Sequence, residues 1–370
     1  MEANAMKYEE RIVFALRELY RRFGYMQFKM RKFEEYDLYA RNKDFLISDS
    51  IITFTDLNGK LMALKPDVTL SIVRSGTDAG GGVQKVYYNE NVYRVSAAAR
   101  GFREMAQAGV ECIGEVDDCC LAETLMLAVE SLRVISEESV LDVSHLDIVS
   151  ELADALGVAP EVRREALKCI GEKNLHGLDA VCRAANADET ALARLKTLIQ
   201  TSGEPERVLP VLRKLGCSPQ AVEQLASLTA ALDALGLGGH IRIDFSVVGD
   251  MRYYNGVVFK GFVSGVPTGV LSGGQYDRLM SRLRRSARAV GFAVYLDALE
   301  RFSGETETWD VDTVLLYAPG TRAETLLRAV RALSEDGRSV SAQHTAPEKL
   351  RWRRLARLDG EEVTILAENA

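Results

Sequence analysis

Residues 149–236 are rich in alanine, leucine and other helix formers, and glycines at 157, 171, 203 and 216 cut the stretch into helix-sized pieces. Strand-like runs stand on both sides of it. SIITFT (50–55), KLMAL (60–64), VQKVYY (83–88) and residues 139–147 precede it, and IRIDFSVV (241–248) follows. A chain that interrupts its strands with so long a helical block and then resumes them reads as α+β, with 149–236 an inserted helical module.

In IRIDFSVV, Ile241, Ile243, Phe245 and Val247 share one face and Arg242, Asp244 and Ser246 the other, so the resumed sheet is apolar below and polar above. Such a sheet can floor a cleft. MRYYNGVVFK (251–260) follows, with two adjacent tyrosines before an Asn-Gly turn that keeps both rings at the cleft; Lys260 reads as a solvated lysine on the outward face. Ile12, Leu16, Leu19 and Phe23 recur at helical spacing, so 7–22 is an amphipathic helix ended by Gly24. Asn58-Gly59 predicts a hairpin between the first two strands, and 121–136 returns to a helical period. VGFAVYLDALERF (290–302) goes from strand into helix. After the polar linker SGETETWD, the tail reads strand (TVLLYA), helix (ETLLRAVRALSED), strand (RSVSAQ), basic helix (EKLRWRRLARL) and strand (EVTILA), a small α/β domain.

At 370 residues the chain is long enough for two domains, and no apolar run reaches the roughly 18 residues of a membrane span. MEANAMKYEE lacks the order of a secretory signal, which predicts a cytoplasmic protein with six reduced cysteines. No cysteine or histidine spacing suits zinc. A net charge of −7 argues against bulk nucleic-acid binding, and the basic runs RLRRSAR (282–288) and RWRRLAR (351–357) read as solvated faces. The Gly-rich phosphate loop, HExxH and G-x-S-x-G are all missing, and four scattered histidines make an imidazole-based centre hard to assemble. No catalytic residue, metal or cofactor is expected.

The chain does offer polar residues on sheet segments: Asp67 and Thr69 in LKPDVT, Arg94 in VYR, Gln107 and Glu111 in REMAQAGVE, and Tyr253 and Tyr254. Carboxylates accept from an ammonium or a protonated ring nitrogen, and phenols donate or accept while excluding water. The set suits a small zwitterion that brings its own donors.

From GYMQFKMRKFEEYDLYARNKDFLISDSIITFTDLNGKLMALKPDVTLSIVR through NVYRVSAAARGFREMAQAGVECIGE to DFSVVGDMRYYNGVVFKGFV, SGGQYDRL and AVGFAVYLDAL, the chain resembles the histidyl-tRNA synthetases over most of residues 7–302. It resembles still more the synthetase paralogues that serve as regulatory subunits of ATP phosphoribosyltransferase. The resemblance implies a class II aminoacyl-tRNA synthetase-like antiparallel sheet flanked by helices. That core spans 1–148 and 237–304, around the insertion 149–236, with a truncated anticodon-binding-like domain at 311–370. By position, Asp67, Thr69 and Gln107 hold the α-ammonium of a bound L-histidine, Glu111 and Tyr254 face its imidazole, and Tyr253 lines the same pocket. Asp67 replaces a longer glutamate, which implies a looser or water-bridged contact.

Departures from the synthetase pattern set the expected function. Adenylate formation needs cations where negative charge develops. One expected arginine falls at Gly249 and another at Ala298; Ser96 replaces an acidic residue, Ala106 a histidine, and Arg31 stands near the usual proline of the first motif. Arg94 is retained as a further pocket residue. The resemblance therefore implies a non-catalytic regulatory subunit that enables a short-form ATP phosphoribosyltransferase catalytic subunit and senses histidine, as a self-dimer within a hetero-octamer, without nucleic acid or membrane. The alternatives are a working histidyl-tRNA synthetase and a synthetase-like sensor of tRNA or histidine.

Overall fold

The helical period at Ile12, Leu16 and Tyr20 becomes α1 (Tyr8–Arg22), whose buried stripe is those three residues. The computed structural model describes residues 8–40, 51–75, 82–96, 101–249, 251, 253–299, 309–335 and 337–369, and of Ser96 the backbone only. The side chain of Ser96, residue 50 of the first predicted strand and most of the linker 303–310 thus lie outside the described residues. The chain divides into two units, Met1–Phe302 and Ser303–Ala370.

After α1 come β1 (Met26–Gln27), β2 (Phe33–Glu35), α2 (Tyr36–Ala40), β3 (Thr53–Thr55), β4 (Leu61–Leu64) and α3 (Thr69–Ser75). The predicted hairpin joins β3 to β4, but its loop is five residues long. Asp56 Oδ1 accepts from the backbone N–H of Asn58 and Lys60 at 2.9 and 2.8 Å, so the aspartate shapes the turn as much as Asn-Gly does. The long strands β5 (Val83–Ser96) and β6 (Gly101–Gly114) pair antiparallel over their whole length. Helix α4 (Asp118–Ile135), capped by Asp117 accepting from Cys120 N at 2.9 Å, leads to β7 (Ser139–His145).

Six helices fill the Ala/Leu-rich block: α5 (Leu146–Asp154), α6 (Pro160–Gly171), α7 (Leu175–Ala184), α8 (Glu189–Gln200), α9 (Pro205–Leu215) and α10 (Pro219–Asp233), with the short β8 (Ser202–Gly203) between α8 and α9. The chain then enters β9 (Ile241–Asp244), which lies parallel to β7, so the helical block is the crossover such a pairing requires. β9 is half the length its alternation predicts. Asp244 Oδ1 accepts from Ser246 N at 2.8 Å and turns the chain away after Asp244.

β10 (Asn255–Val263), β11 (Leu271–Gln275), α11 (Asp277–Arg282) and β12 (Arg288–Tyr295) complete the unit, followed by a 3-10 turn at Leu296–Leu299 where a helix is predicted. The resulting nine-stranded sheet has the order β1-β5-β6-β12-β11-β10-β7-β9-β8 and is antiparallel except for β1·β5 and β7·β9. Its faces differ. Val110 and Cys112 enter the main core with α1 and α4, whereas Ile113 joins a smaller cluster with Tyr88, Tyr253 and Tyr276 on the opposite side.

The tail unit contains β13 (Val311–Tyr317), α12 (Ala323–Ser334), β14 (Val340–Gln343), β15 (Trp352–Asp359) and β16 (Glu362–Glu368), in a sheet ordered β14-β13-β15-β16. The predicted basic helix is strand β15. Its composition favours a helix, but parallel pairing with β13 and antiparallel pairing with β16 override that preference. Ala356 and Leu358 are buried while Arg353 and Arg357 are exposed, the period of two that a strand requires. Among the described residues no helix is long and apolar enough to cross a membrane.

Candidate functional site

Asp67, Thr69, Arg94, Gln107, Glu111, Tyr253 and Tyr254 all line one cavity of about 60 Å³, several times the roughly 10–15 Å³ that a single water needs. Every residue singled out from the sequence is there. They arrive from separate elements: Asp67 and Thr69 at the start of α3, Arg94 on β5, Gln107 and Glu111 four apart on one face of β6, and the tyrosines just before β10.

Glu111 is the anchor. It is 2% exposed, and both carboxylate oxygens receive hydroxyls: Thr69 Oγ1 donates to Oε1 at 2.6 Å and Tyr276 Oη to Oε2 at 2.5 Å. Burial pushes its pKa up to about 8, against the lowering effect of the two hydroxyl donors, and the nearby Asp67 adds to the rise. Asp67 is also buried, and burial raises its carboxyl too, opposed by the backbone N–H of Leu70 at 2.8 Å and the charge of Arg94. Arg94 Nε itself donates to Pro66 O at 3.0 Å, which ties β5 to the approach of α3. Two buried carboxyls held partly against ionisation form a cavity that favours a cationic ligand.

The tyrosine wall is tightly packed. The rings of Tyr253 and Tyr254 lie 4.6 Å apart in edge contact, and Tyr253 is 5.8 Å from Tyr276. Burial holds the hydroxyls of Tyr88, Tyr253, Tyr254 and Tyr276 well above the usual phenol range. The Asn-Gly pair acts as a bulge inside β10, where the register with β11 shifts between Asn255 and Val258. The Gln275 side chain accepts from Val257 N at 2.8 Å across that bulge. Lys260 is exposed, as expected, with its ammonium 5.4 Å from the Phe262 ring centroid.

Sequence reasoning missed part of the lining. Tyr88, Ser272, Tyr276, Gly291 and Tyr295 also face the cavity, and Ser272 and Tyr295 share a hydroxyl contact of 2.6 Å. For Tyr88, Ser272, Gly291 and Tyr295 the sequence signal is strand alternation on the site face of β5, β11 and β12, whereas Tyr276 stands between β11 and α11. Gly291 stands opposite Glu111 in the ladder, where a Cβ would meet Glu111 Oε2 at 1.9 Å. Only glycine leaves room for that carboxylate.

The departures from the synthetase pattern can also be placed. Gly249 has φ +54, and a Cβ there would stand 3.3 Å from the Tyr254 ring. Ala298 is partly buried against the main core, and the neighbouring Asp297 accepts from Ala106 N at 2.8 Å. No group of three or more His, Cys, Asp or Glu able to hold a metal occurs among the described residues.

Residues 1–299 match the family model described as histidyl-tRNA synthetase. The ATP phosphoribosyltransferase regulatory subunit of Alkaliphilus metalliredigens is 28% identical over 286 residues, covering 75% of this chain and 72% of that protein. A solved structure from Bacillus halodurans, described as an ATP phosphoribosyltransferase regulatory subunit/histidyl-tRNA synthetase, superposes with a TM-score of 0.77 at 24% identity, covering 94% of this chain and 93% of that one. A chain of the ATP phosphoribosyl transferase complex from Thermotoga maritima superposes with a TM-score of 0.63 at 19% identity, covering 79% and 98%. At these identities the two structural likenesses are likenesses of fold.

Proposed function

The chain belongs to the histidyl-tRNA synthetase family, and from that premise we propose that it is a non-catalytic regulatory subunit of ATP phosphoribosyltransferase that binds L-histidine in the Glu111 pocket. The curated relative from Alkaliphilus metalliredigens carries that regulatory name, and the Thermotoga maritima neighbour was solved within a transferase complex. The domains run as core 1–148 and 237–304, insertion 149–236 and tail 311–370. The partner is a short-form catalytic subunit, and a self-dimer of this chain sits within a hetero-octamer.

The observation that carries the reading is the buried Glu111 carboxyl, fixed by Thr69 and Tyr276 at 2.6 and 2.5 Å in a cavity that also holds Asp67 and Arg94. An imidazole N–H donates toward Glu111, an α-ammonium toward Asp67 and the Gln107 carbonyl, and an α-carboxylate pairs with Arg94. Tyr253 and Tyr254 shield these contacts from water. Thr69 Oγ1 donates to Glu111 Oε1 and keeps lone pairs that can accept from the α-ammonium, so it can serve both groups.

Regulation then follows from differential affinity. Histidine shifts the complex only if the pocket binds it differently in the active and inhibited arrangements, and a coupling of about 1–3 kcal/mol provides 5- to 150-fold control. A working synthetase fits less well, because Gly249 and Ala298 stand where adenylation calls for arginine.

The test is to add purified chain to a short-form catalytic subunit and follow phosphoribosyl-ATP formation. The chain should raise the rate, and histidine should suppress it. If the rate stays unchanged and pyrophosphate exchange with ATP and histidine is robust instead, the chain is a synthetase.

A further inference from the structure

Cys112 and Cys120 meet where β6 passes into α4. The strand ends at Gly114, which has φ +138, and the helix begins at Asp118, so a short turn folds one element onto the other. Cys112 is fully buried in the main core and Cys120 is partly buried against it, with the Cys112 thiol within hydrogen-bonding reach of the Cys120 sulfur. The pair thus combines a thiol that solvent reaches with a buried thiol beside it. Cys119 is exposed, whereas Cys169, Cys182 and Cys217 are buried in the helical block.

Charged groups lie close to both sulfurs. Lys85 stands opposite Cys112 in the β5–β6 ladder, and its Nζ donates to Glu123 Oε1 and Oε2 at 2.6 and 2.8 Å. Asp117 Oδ1 accepts from Cys120 N at 2.9 Å, which fixes Cys120 in the first turn of α4. There the positive end of the helix dipole supports a thiolate. Burial nonetheless raises the Cys120 thiol, and it pushes the Cys112 thiol well above the usual range. Cys120 is therefore the attacking sulfur and Cys112 the resolving one.

We propose that Cys112 and Cys120 form a reversible disulfide when hydroperoxides oxidise the chain, and that this bond weakens ligand binding in the Glu111 pocket; the second half rests on the pocket reading above. The Cys120 thiolate attacks one oxygen of hydrogen peroxide, the O–O bond breaks, and the departing hydroxide takes up the thiol's proton, leaving water and a Cys120 sulfenic acid. The Cys112 sulfur then attacks the sulfenic sulfur. The S–O bond breaks, and the second hydroxide leaves with the Cys112 proton as water. Two thiols lose two electrons, and one peroxide gains them.

Glu111 directly precedes Cys112 on β6 and projects to the opposite face. Its hydroxyl partners at 2.6 and 2.5 Å and the close approach of Gly291 leave it little slack. A disulfide is much shorter than a contact between thiols, so closing it draws Cys112 toward α4. Glu111 moves with the strand.

The test treats the full-length reduced chain with hydrogen peroxide, blocks the remaining thiols by alkylation and maps the peptides. A Cys112–Cys120 crosslink that dithiothreitol reverses is expected. It should persist in Cys119→Ser, vanish in Cys120→Ala, and form faster as pH rises, because the thiolate is the attacking species. Calorimetry before and after oxidation should show L-histidine bound about fivefold more weakly by the crosslinked chain, with recovery on reduction. No crosslink, a Cys119–Cys120 bond, a bond between chains, or sulfinic acid at Cys120 with Cys112 still free overturns the redox pair. A crosslink with unchanged histidine affinity overturns its effect on the pocket. If the reduced chain itself binds no histidine, the pocket reading falls and takes the second half with it, while the peptide map still decides the first.

Discussion

Gly291 and Glu111 face each other across the β12–β6 ladder so closely that a methyl group on Gly291 would stand 1.9 Å from Glu111 Oε2 and 2.5 Å from Val110 O. Gly291→Ala is therefore expected to destabilise the chain by about 1–3 kcal/mol, as overpacking against backbone does. It should also expel Glu111 from its hydroxyl partners. Thermal unfolding and calorimetry with L-histidine check both; wild-type affinity in this variant would remove Glu111 from the site.

The raised Glu111 pKa makes stability depend on pH. The folded state keeps its proton up to about 8, whereas the ordinary value is 4.5. Its contribution is full below about pH 4.5 and is lost as pH rises through about 8. Denaturant unfolding across pH 5–9 should show this fall, and Glu111→Gln should flatten it. A cationic ligand favours the ionised acid, so histidine binding near pH 7 should release protons, read as a buffer-dependent heat.

His145 gives the opposite slope. It caps α5 by accepting from Asp147 N at 3.3 Å through Nδ1, and its Nε2 lies 3.0 Å from Gln224 Oε1, which assigns the proton to Nε2. Burial lowers its pKa below the ordinary 6.5. The unfolded chain then takes up a proton that the folded chain refuses, so stability falls as pH drops below about 6.5. His145→Asn keeps a capping acceptor and should abolish this acid slope.

Gly249→Arg tests whether one missing cation can be restored. A non-glycine residue at φ +54 costs about 1–2 kcal/mol, and its Cβ presses on Tyr254 at 3.3 Å. The variant should unfold at lower temperature and show no pyrophosphate exchange with ATP and histidine. Measurable exchange would mean that Gly249 alone blocks adenylation.

Much of this was legible along the chain. Helix α1, the β3–β4 hairpin and the helical character of 149–236 follow from periodicity and turn residues, because those preferences act over a few residues. The seven candidate residues came from the order of short motifs, and all seven meet in one cavity. β15 went the other way. Its arginines, alanine and leucines favour a helix locally, and only pairing with β13 and β16 turns them into a strand.

Residue order thus determined that α1 and the 149–236 block are helical and which polar groups are available for a zwitterion. Tertiary structure alone decided that Tyr276 binds Glu111 from 165 positions away, that Gly291 leaves that carboxylate its space, and that Gly249 holds a left-handed turn against Tyr254. Their energies depend on register, burial and the exact path of the chain, which no local propensity encodes.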